Sequence, residues 1–233
     1  MGIWEKIGSI AGQLADRVPV RTVIERLRDQ FLGDAEERRQ MAFTVAMIAL
    51  AAKMAKADGV VTADEIAAFE RLFEMPIGEE RNVTRIFDMA RQDVAGFETY
   101  ARQVAALYPD EPEMLEDILD GLFQVAGADG AMHEAELAFL EAVATVFDID
   151  ARAFSRIKAR HVVADGADPY IILGIDRTID DEALKKHYRR LVRENHPDRH
   201  IALGVPPEFV AIATEKLAVI NEAYDRIAKE RGL

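Results

Sequence analysis

The sequence predicts an all-α protein, and three observations lead to this prediction. Apolar residues recur at steps of three and four along most of the 233-residue chain, which is the spacing of an amphipathic helix. No segment shows a convincing alternation of the kind expected for a half-buried strand. The middle of the chain contains an internal repeat, and both copies are predicted to form a helix, a short glycine loop and a second helix.

The composition is that of an ordinary globular protein, with 50% hydrophobic and 30% charged residues. A formal net charge of -13 argues against nucleic acid as a partner. The chain has no cysteine, which excludes disulfides and thiol chemistry and fits a reducing compartment. We therefore expect a cytoplasmic location, with membrane association as the alternative.

Residues 1–40 are predicted to form an amphipathic N-terminal segment. The mixed charge of its polar face favours docking on another protein over contact of residues 1–20 with a membrane surface. The apolar run Met41 to Ala52 that follows is too short to span a bilayer, which takes about 20 residues. It is predicted to be a buried core helix, and the N-terminus lacks the features of a signal peptide.

Residues 41–160 are predicted to form an acidic helical bundle, because residues 42–160 contain 11 basic and 22 acidic side chains. In the repeat, Met54 to Phe73 aligns with Val125 to Ala144. Each copy contains an Asp-Gly pair followed by a glutamate at the spacing of the second half of an EF-hand loop. The first half of that loop lacks carboxylates, so helix capping is favoured over calcium binding. The low-ranking metal candidates are Asp58, Glu65, Asp129 and Glu136.

The two glutamates differ in how well capping explains them. Thr62 and Glu65 have the spacing of a capping box, in which both side chains bond to backbone N–H groups. His133 stands in the second copy where Thr62 stands in the first. We therefore expect a poorer cap there, and Glu136 is less well explained than Glu65. A weak cation site shared between the two copies is the alternative.

The duplicated Ala-Asp-Gly…Glu helix-loop-helix resembles the TerB-like helical domain of tellurite-resistance proteins. This resemblance implies an acidic bundle that serves as a module for binding a metal or a partner, and it does not imply an enzyme.

Residues 161–167 are predicted to be a linker and residues 168–233 a second domain with three helical pieces. The middle piece runs from about Asp181 to Glu194 and carries Leu184, Tyr188 and Leu191 on its apolar side. A dense cationic face on the opposite side is expected to bind an acidic partner rather than to be merely solvated. Its members are Lys185, Lys186, Arg189, Arg190 and Arg193.

The tripeptide His196-Pro197-Asp198 follows this helix directly. Pro197 ends the helix and favours an extended conformation at His196, which places His196 and Asp198 at an exposed bend. The alternatives are a capping role for His196 and an ordinary turn role for Asp198. A third helix is predicted to pack antiparallel against the second. Because no catalytic constellation is identifiable, we expect neither an enzyme nor a cofactor.

Three stretches of this second domain, "DPYIILGI", "LKKHYRRLVRENHPD" and "LAVINEAYDRI", resemble the J domain of the DnaJ co-chaperone family. The segment "ALGVPPEF" is similar to that of DjlA-type proteins, which also join a TerB-like domain to a C-terminal J domain. The resemblance implies that His196, Pro197 and Asp198 stimulate ATP hydrolysis by a DnaK-type chaperone. It also implies that the cationic face docks on the ATP-bound form of that chaperone.

The TerB-like part would then select an unknown client or a location. The alternative function is that of a metal-binding stress-response protein, similar to tellurite-resistance proteins, whose J-like part serves only for docking.

Overall fold

Helices form all the regular secondary structure in the part of the chain that the computed structural model describes. That part comprises residues 35–57, 78, 80–92, 96–128, 130, 132–161, 167–202 and 210–233. Its helices are α1 (Ala35–Ala57), α2 (Glu80–Gln92), α3 (Phe97–Leu107), α4 (Pro112–Ala126), α5 (Glu134–Val146), α6 (Ala151–His161), α7 (Pro169–Leu173), α8 (Asp181–Glu194), α9 (Pro197–Ala202) and α10 (Val210–Arg231). The predicted all-α class is confirmed. No helix in these ranges has both the length and the apolar character needed to cross a membrane.

Helices α1 to α6 form a bundle in which α1 and α4 are the most buried elements. The apolar run predicted to be a core helix lies in α1, where Phe43, Leu50 and Met54 are fully buried. α1 packs against α2, α3, α4 and α5, and α4 packs against α5 and α6. The aromatic rings of Phe43 and Tyr108 meet edge to face at 5.6 Å, a favourable geometry for buried rings.

The second copy of the repeat forms the predicted helix, glycine loop and helix. α4 ends at Ala126, Gly130 adopts a φ of +87° in the loop, and α5 follows. Glu136, which the sequence left less well explained than Glu65, has a capping role, because its buried carboxylate accepts a hydrogen bond from the His133 N–H at 2.9 Å. This contact is the reciprocal half of a capping box. Three parts of the sequence predictions lie outside the described residues: the first copy from Asp58 onward, Asp129, and the N-terminal segment 1–34.

Helices α7 to α10 form a smaller C-terminal unit. Asp168 caps α7 by accepting the Tyr170 N–H at 3.0 Å, and Pro169 occupies the first turn, where a backbone N–H is not needed. α7 ends at Gly174, whose φ of +68° is left-handed. Glycine takes this conformation at no steric cost, so the sequence itself limits α7 to five residues.

The second and third predicted helices of this unit, α8 and α10, run antiparallel, as expected. Arg231 near the end of α10 forms an ion pair with Asp181 at the start of α8, at 3.0 Å. Further along, the rings of Tyr188 and Tyr224 stack with centroids 3.9 Å apart, and the Tyr188 hydroxyl donates to Asn221 at 3.0 Å. The core of the unit contains Tyr170, Leu173, Leu184, Ile220, Ala223 and Ile227.

α10 belongs to both units, which the sequence did not indicate. Ile220 and Ile227 lie in the core of the C-terminal unit, whereas Ile212 is buried in the core of the bundle. α10 contacts α4, and α7 contacts α6. Only the two ends of the predicted linker 161–167 lie within the described residues, and His161 is the last residue of α6. Because α10 contributes to both cores, the two units share a packed junction.

A buried cluster of charges lies at this junction. Lys216 of α10 forms ion pairs with Asp117 and Asp120 of α4, and Arg160 of α6 pairs with Asp120. All four side chains are 6% exposed or less. Two positive and two negative charges are thus removed from water together, which is tolerable only because each has a partner.

Asp120 is the centre of the cluster. Its two oxygens accept from Arg160 at 2.9 and 2.5 Å, and one of them lies 2.8 Å from the His161 ring. Burial alone would raise the pKa of Asp120, but the charges of Arg160 and Lys216 and the His161 contact outweigh it and hold the pKa well below its usual value. Asp120 therefore remains ionised and holds its cationic partners in place.

We expect Ile212→Ala to lower the free energy of unfolding by about 2–5 kcal/mol, the usual cost of truncating a buried aliphatic side chain. Ile212 is 2% exposed, whereas the matched control Ile201 is 58% exposed. Ile201→Ala should change the value by less than about 0.5 kcal/mol. Urea unfolding followed by circular dichroism measures both, and equal effects of the two substitutions would contradict the packed junction.

Lys216→Met should cost about 3–5 kcal/mol, because it leaves a carboxylate buried without sufficient positive charge. Lys229→Met is the control on the same helix, since Lys229 is exposed, and it should be nearly neutral. The same denaturation experiment applies. A stability of Lys216→Met within about 1 kcal/mol of wild type would show that the cluster does not need this lysine.

Candidate functional site

The basic helix α8 has the bounds that the sequence predicts, Asp181 to Glu194. Asp180 caps it by accepting the Ala183 N–H at 2.8 Å, and acidic residues in the first turn suit the positive helix end. Leu184 is fully buried on the inner face. The helix is therefore anchored along one side, and the opposite side faces solvent.

The predicted cationic face lies on this solvent side. Lys186, Arg189 and Arg193 are exposed and form no hydrogen bond or ion pair within the described ranges. Lys185 is half-buried, with its Nζ 3.9 Å from a Glu182 oxygen. Arg190 is also exposed, although it contacts His187, so four of the five predicted cations are exposed and Lys185 is only partly so.

Arg190 is positioned by His187, a histidine of the same helix. The Nε2 atom of His187 lies 2.8 Å from the Leu173 carbonyl oxygen, and Nδ1 lies 3.0 Å from Arg190 Nη2. A carbonyl only accepts and a guanidinium only donates. His187 therefore carries its proton on Nε2 and is neutral, and it connects α8 to the end of α7. The spacing of three residues between His187 and Arg190 was the available sequence signal.

Burial is the largest influence on the pKa of His187 and lowers it, and the positive charge of Arg190 lowers the pKa further. The hydrogen bond to Leu173 acts in the opposite direction but is outweighed. The pKa of His187 therefore lies below its ordinary value, and the neutral form that the geometry requires predominates at neutral pH.

The sequence predicts an exposed bend at the tripeptide, but in the structure the tripeptide begins a new helix. α8 ends at Glu194, and Pro197 is the first residue of α9. The His196 ring accepts the Asp198 N–H through Nδ1 at 3.2 Å, and the His196 carbonyl accepts the Arg199 N–H at 2.9 Å. His196 is thus the N-cap of α9, with proline at a position that needs no N–H. The capping alternative for His196 is correct.

Capping leaves the tripeptide accessible. The side chain of His196 is 50% exposed and that of Asp198 is 85% exposed, with 3.6 Å between His196 Nδ1 and an Asp198 oxygen. Asn195, just before them, is buried and donates through its side chain to the Leu191 carbonyl at 2.7 Å. The turn therefore presents an imidazole and a carboxylate side by side at the end of the cationic helix.

Arg199 connects the tip to the end of α8 and to the bundle. Its guanidinium donates to the Glu194 carbonyl at 3.2 Å, and it lies 3.4 Å from Glu111 and 3.5 Å from Glu113 of the bundle. The side chain of Arg199 is 35% exposed. The sequence reading did not single out Arg199, because its partners are more than 80 residues away along the chain.

Two family models match the two units separately. Residues 44–159 match the model described as tellurite resistance protein TerB, and residues 168–231 match the DnaJ domain. The order of the two matches is the order in which the bundle and the C-terminal unit occur along the chain.

Curated relatives match this chain over most of their own length. Co-chaperone protein DjlA of Shewanella oneidensis is 29% identical over 88% of this chain and 83% of its own. DjlA of Photobacterium profundum is 28% identical over 84% of this chain and 80% of its own length. DjlA of Photorhabdus laumondii is 26% identical over 99% of this chain and 93% of its own length. The chain is a DjlA-like member of the DnaJ family. No solved structure gives a significant match.

The C-terminal unit is accordingly the J domain, and it contains the His196-Pro197-Asp198 tripeptide. The acidic bundle is the TerB domain. Among the four metal candidates, the structure describes only Glu136, which caps α5. Within the described ranges, no group of three or more histidine and acidic side chains could hold a metal ion.

The ring of His187 should titrate below its ordinary pKa of about 6.5 and carry its proton on Nε2. A depressed pKa contributes stability that is present above pH 6.5 and is lost as the pH falls towards the folded-state value. ¹⁵N NMR of the imidazole during a pH titration measures both properties. His187→Gln should weaken the pH dependence of unfolding in this range, and a His187 pKa at or above 6.5 would contradict the assigned geometry.

Proposed function

We propose that this DnaJ-type co-chaperone docks on the ATP-bound form of a DnaK-type chaperone and stimulates its ATP hydrolysis. The observation that carries the proposal is the exposed His196-Asp198 pair at the end of the cationic face of α8. The J-domain match and the co-chaperone names of the relatives support the choice of partner. The ATP site belongs to the partner, and this chain acts as a binding protein rather than an enzyme.

The cationic face performs the first step. The exposed side chains of Lys186, Arg189 and Arg193 attract an acidic surface, which raises the rate of encounter and orients the complex. Arg190, held by His187, and the partly buried Lys185 complete the face. Because α8 is anchored by Leu184 and Tyr188, these charges approach the partner as a fixed array.

The His-Pro-Asp tip performs the second step. His196, Pro197 and Asp198 occupy a turn that is set by the cap of α9 before the partner arrives, so little ordering is needed on binding. The tip accelerates hydrolysis if it binds the hydrolysis-competent state of the chaperone more tightly than the other states. The TerB domain then places a client, or the location in the cell, next to the chaperone. A cytoplasmic site of action remains a prediction from the sequence.

The test is a steady-state ATPase assay of a DnaK-type chaperone with this protein. Wild type should stimulate turnover, whereas His196→Gln and Asp198→Asn should abolish the stimulation, because each removes a group presented at the tip. Loss of the His196 cap costs about 0.5–2 kcal/mol at most, so circular dichroism should show both variants folded. Full stimulation by a folded Asp198→Asn variant would refute the role of the tip.

Docking through α8 is tested by reversing two charges that form no hydrogen bond or ion pair in the described part of the chain. Arg189→Glu with Arg193→Glu should raise the Kd for the chaperone by about tenfold or more at low salt, and less at high salt because of screening. Arg102→Glu with Lys229→Glu changes the net charge equally at two exposed positions and is the control. Equal effects of the two pairs would mean that net charge, and not the α8 face, governs binding.

A further inference from the structure

The J domain contacts the bundle immediately beside the His-Pro-Asp tip. Arg199, the residue after the tripeptide, has its Nη2 atom 3.4 Å from Glu111 and 3.5 Å from Glu113. These glutamates lie at the N-terminal end of α4, between about one and two and a half turns before the buried Asp117 and Asp120. One edge of the bundle thus supplies two carboxylates to a cation at the docking end of the J domain.

This contact differs in strength from the rest of the junction. Lys216 and Ile212 are buried and hold α10 on the bundle. The Arg199 pairs are long and partly exposed, and such surface pairs contribute about 0–1 kcal/mol each. The junction therefore has a permanent part along α10 and a readily broken part at the tip.

The cleft between the two domains is lined by a cation of the α8 face and by one of these two carboxylates. This open cleft, of about 750 Å³, is lined on the J-domain side by Arg190 and Glu194 and on the bundle side by Glu113, Glu116 and Arg156. Arg156 is already paired with Glu116 at 3.1 Å. Arg190, on one side of the cationic face, therefore lines the same cleft as Glu113, together with the basic side chains of Arg152 and Arg160.

We propose that Glu111 and Glu113 compete with the chaperone for Arg199 and thereby set the affinity of docking. The inference rests on the proposed function, since it requires that the partner present an acidic surface to the J domain. Both competitors offer carboxylates to the same guanidinium, so the chaperone must displace the bundle edge to engage it. Displacement is feasible because the pairs at the tip are weak, whereas the α10 contacts keep the domains together.

Glu111→Gln with Glu113→Gln tests the competition. The side chain of Glu111 makes no capping hydrogen bond to α4, so the double variant should fold normally. Its Kd for the ATP-bound chaperone should fall about three- to tenfold at low salt, and the gain should largely vanish at high salt because the competing pairs are screened. Isothermal titration calorimetry at two salt concentrations measures this.

Two controls make the result specific. Glu134→Gln with Glu141→Gln removes the same charge from exposed positions on α5 and should change the Kd by less than about twofold. Adding Arg199→Ala to the Glu111→Gln/Glu113→Gln variant should remove the gain. If the gain persists without Arg199, the carboxylates act by repelling the partner, and the proposed competition is wrong.

The outcomes separate this inference from the function on which it rests. An unchanged or higher Kd for Glu111→Gln/Glu113→Gln, in a protein whose wild type stimulates the ATPase, would overturn the competition and leave the co-chaperone function standing. If wild type neither binds nor stimulates the chaperone, the proposed function fails and the inference fails with it.

Discussion

The pairing of Lys216 with Asp117 and Asp120 is the interaction on which the arrangement of the two domains depends. Charges that are removed from water favour one geometry strongly, because any other geometry leaves one of them without a partner. Arg160 completes the cluster by pairing with Asp120 from α6. The cluster thus defines how α10 lies on the bundle, and α10 in turn positions α7, α8 and α9.

This arrangement connects two properties that the sequence presented separately. The bundle is acidic and the outer face of α8 is cationic, yet they do not simply neutralise each other. Lys216 of the J domain pairs with carboxylates of α4, and Arg156 and Arg160 pair with α4 from within the bundle, whereas four of the five cations on the outer face of α8 are exposed. Internal pairing therefore consumes the charges that hold the domains together and leaves the charges that can attract a partner.

Much of the fold could be predicted from local signals in the sequence. Helical periodicity, the Asp180 cap and Gly174 determined the bounds of α7 and α8, because these signals act within a few residues. The exposed positions on α8 followed from the same periodicity. The junction could not be predicted, because the Lys216–Asp117 and Arg199–Glu111 pairs join residues 99 and 88 positions apart. The helix after Pro197 was missed because proline was treated only as a terminator, although it also suits a first helical position.

The position of Ile212 and Lys216 on α10 has a consequence for exchanging J domains between proteins. These two residues are four apart, so they lie on one side of the helix, one turn from each other. A J domain transplanted onto this bundle would need an aliphatic side chain and a cation at those two places to seat correctly. Conversely, this J domain excised alone would bring an apolar and a charged group into water at the start of its last helix. The two domains therefore meet at a complementary interface. Recombination between J domains would be constrained by two side chains rather than by the length of the connecting segment.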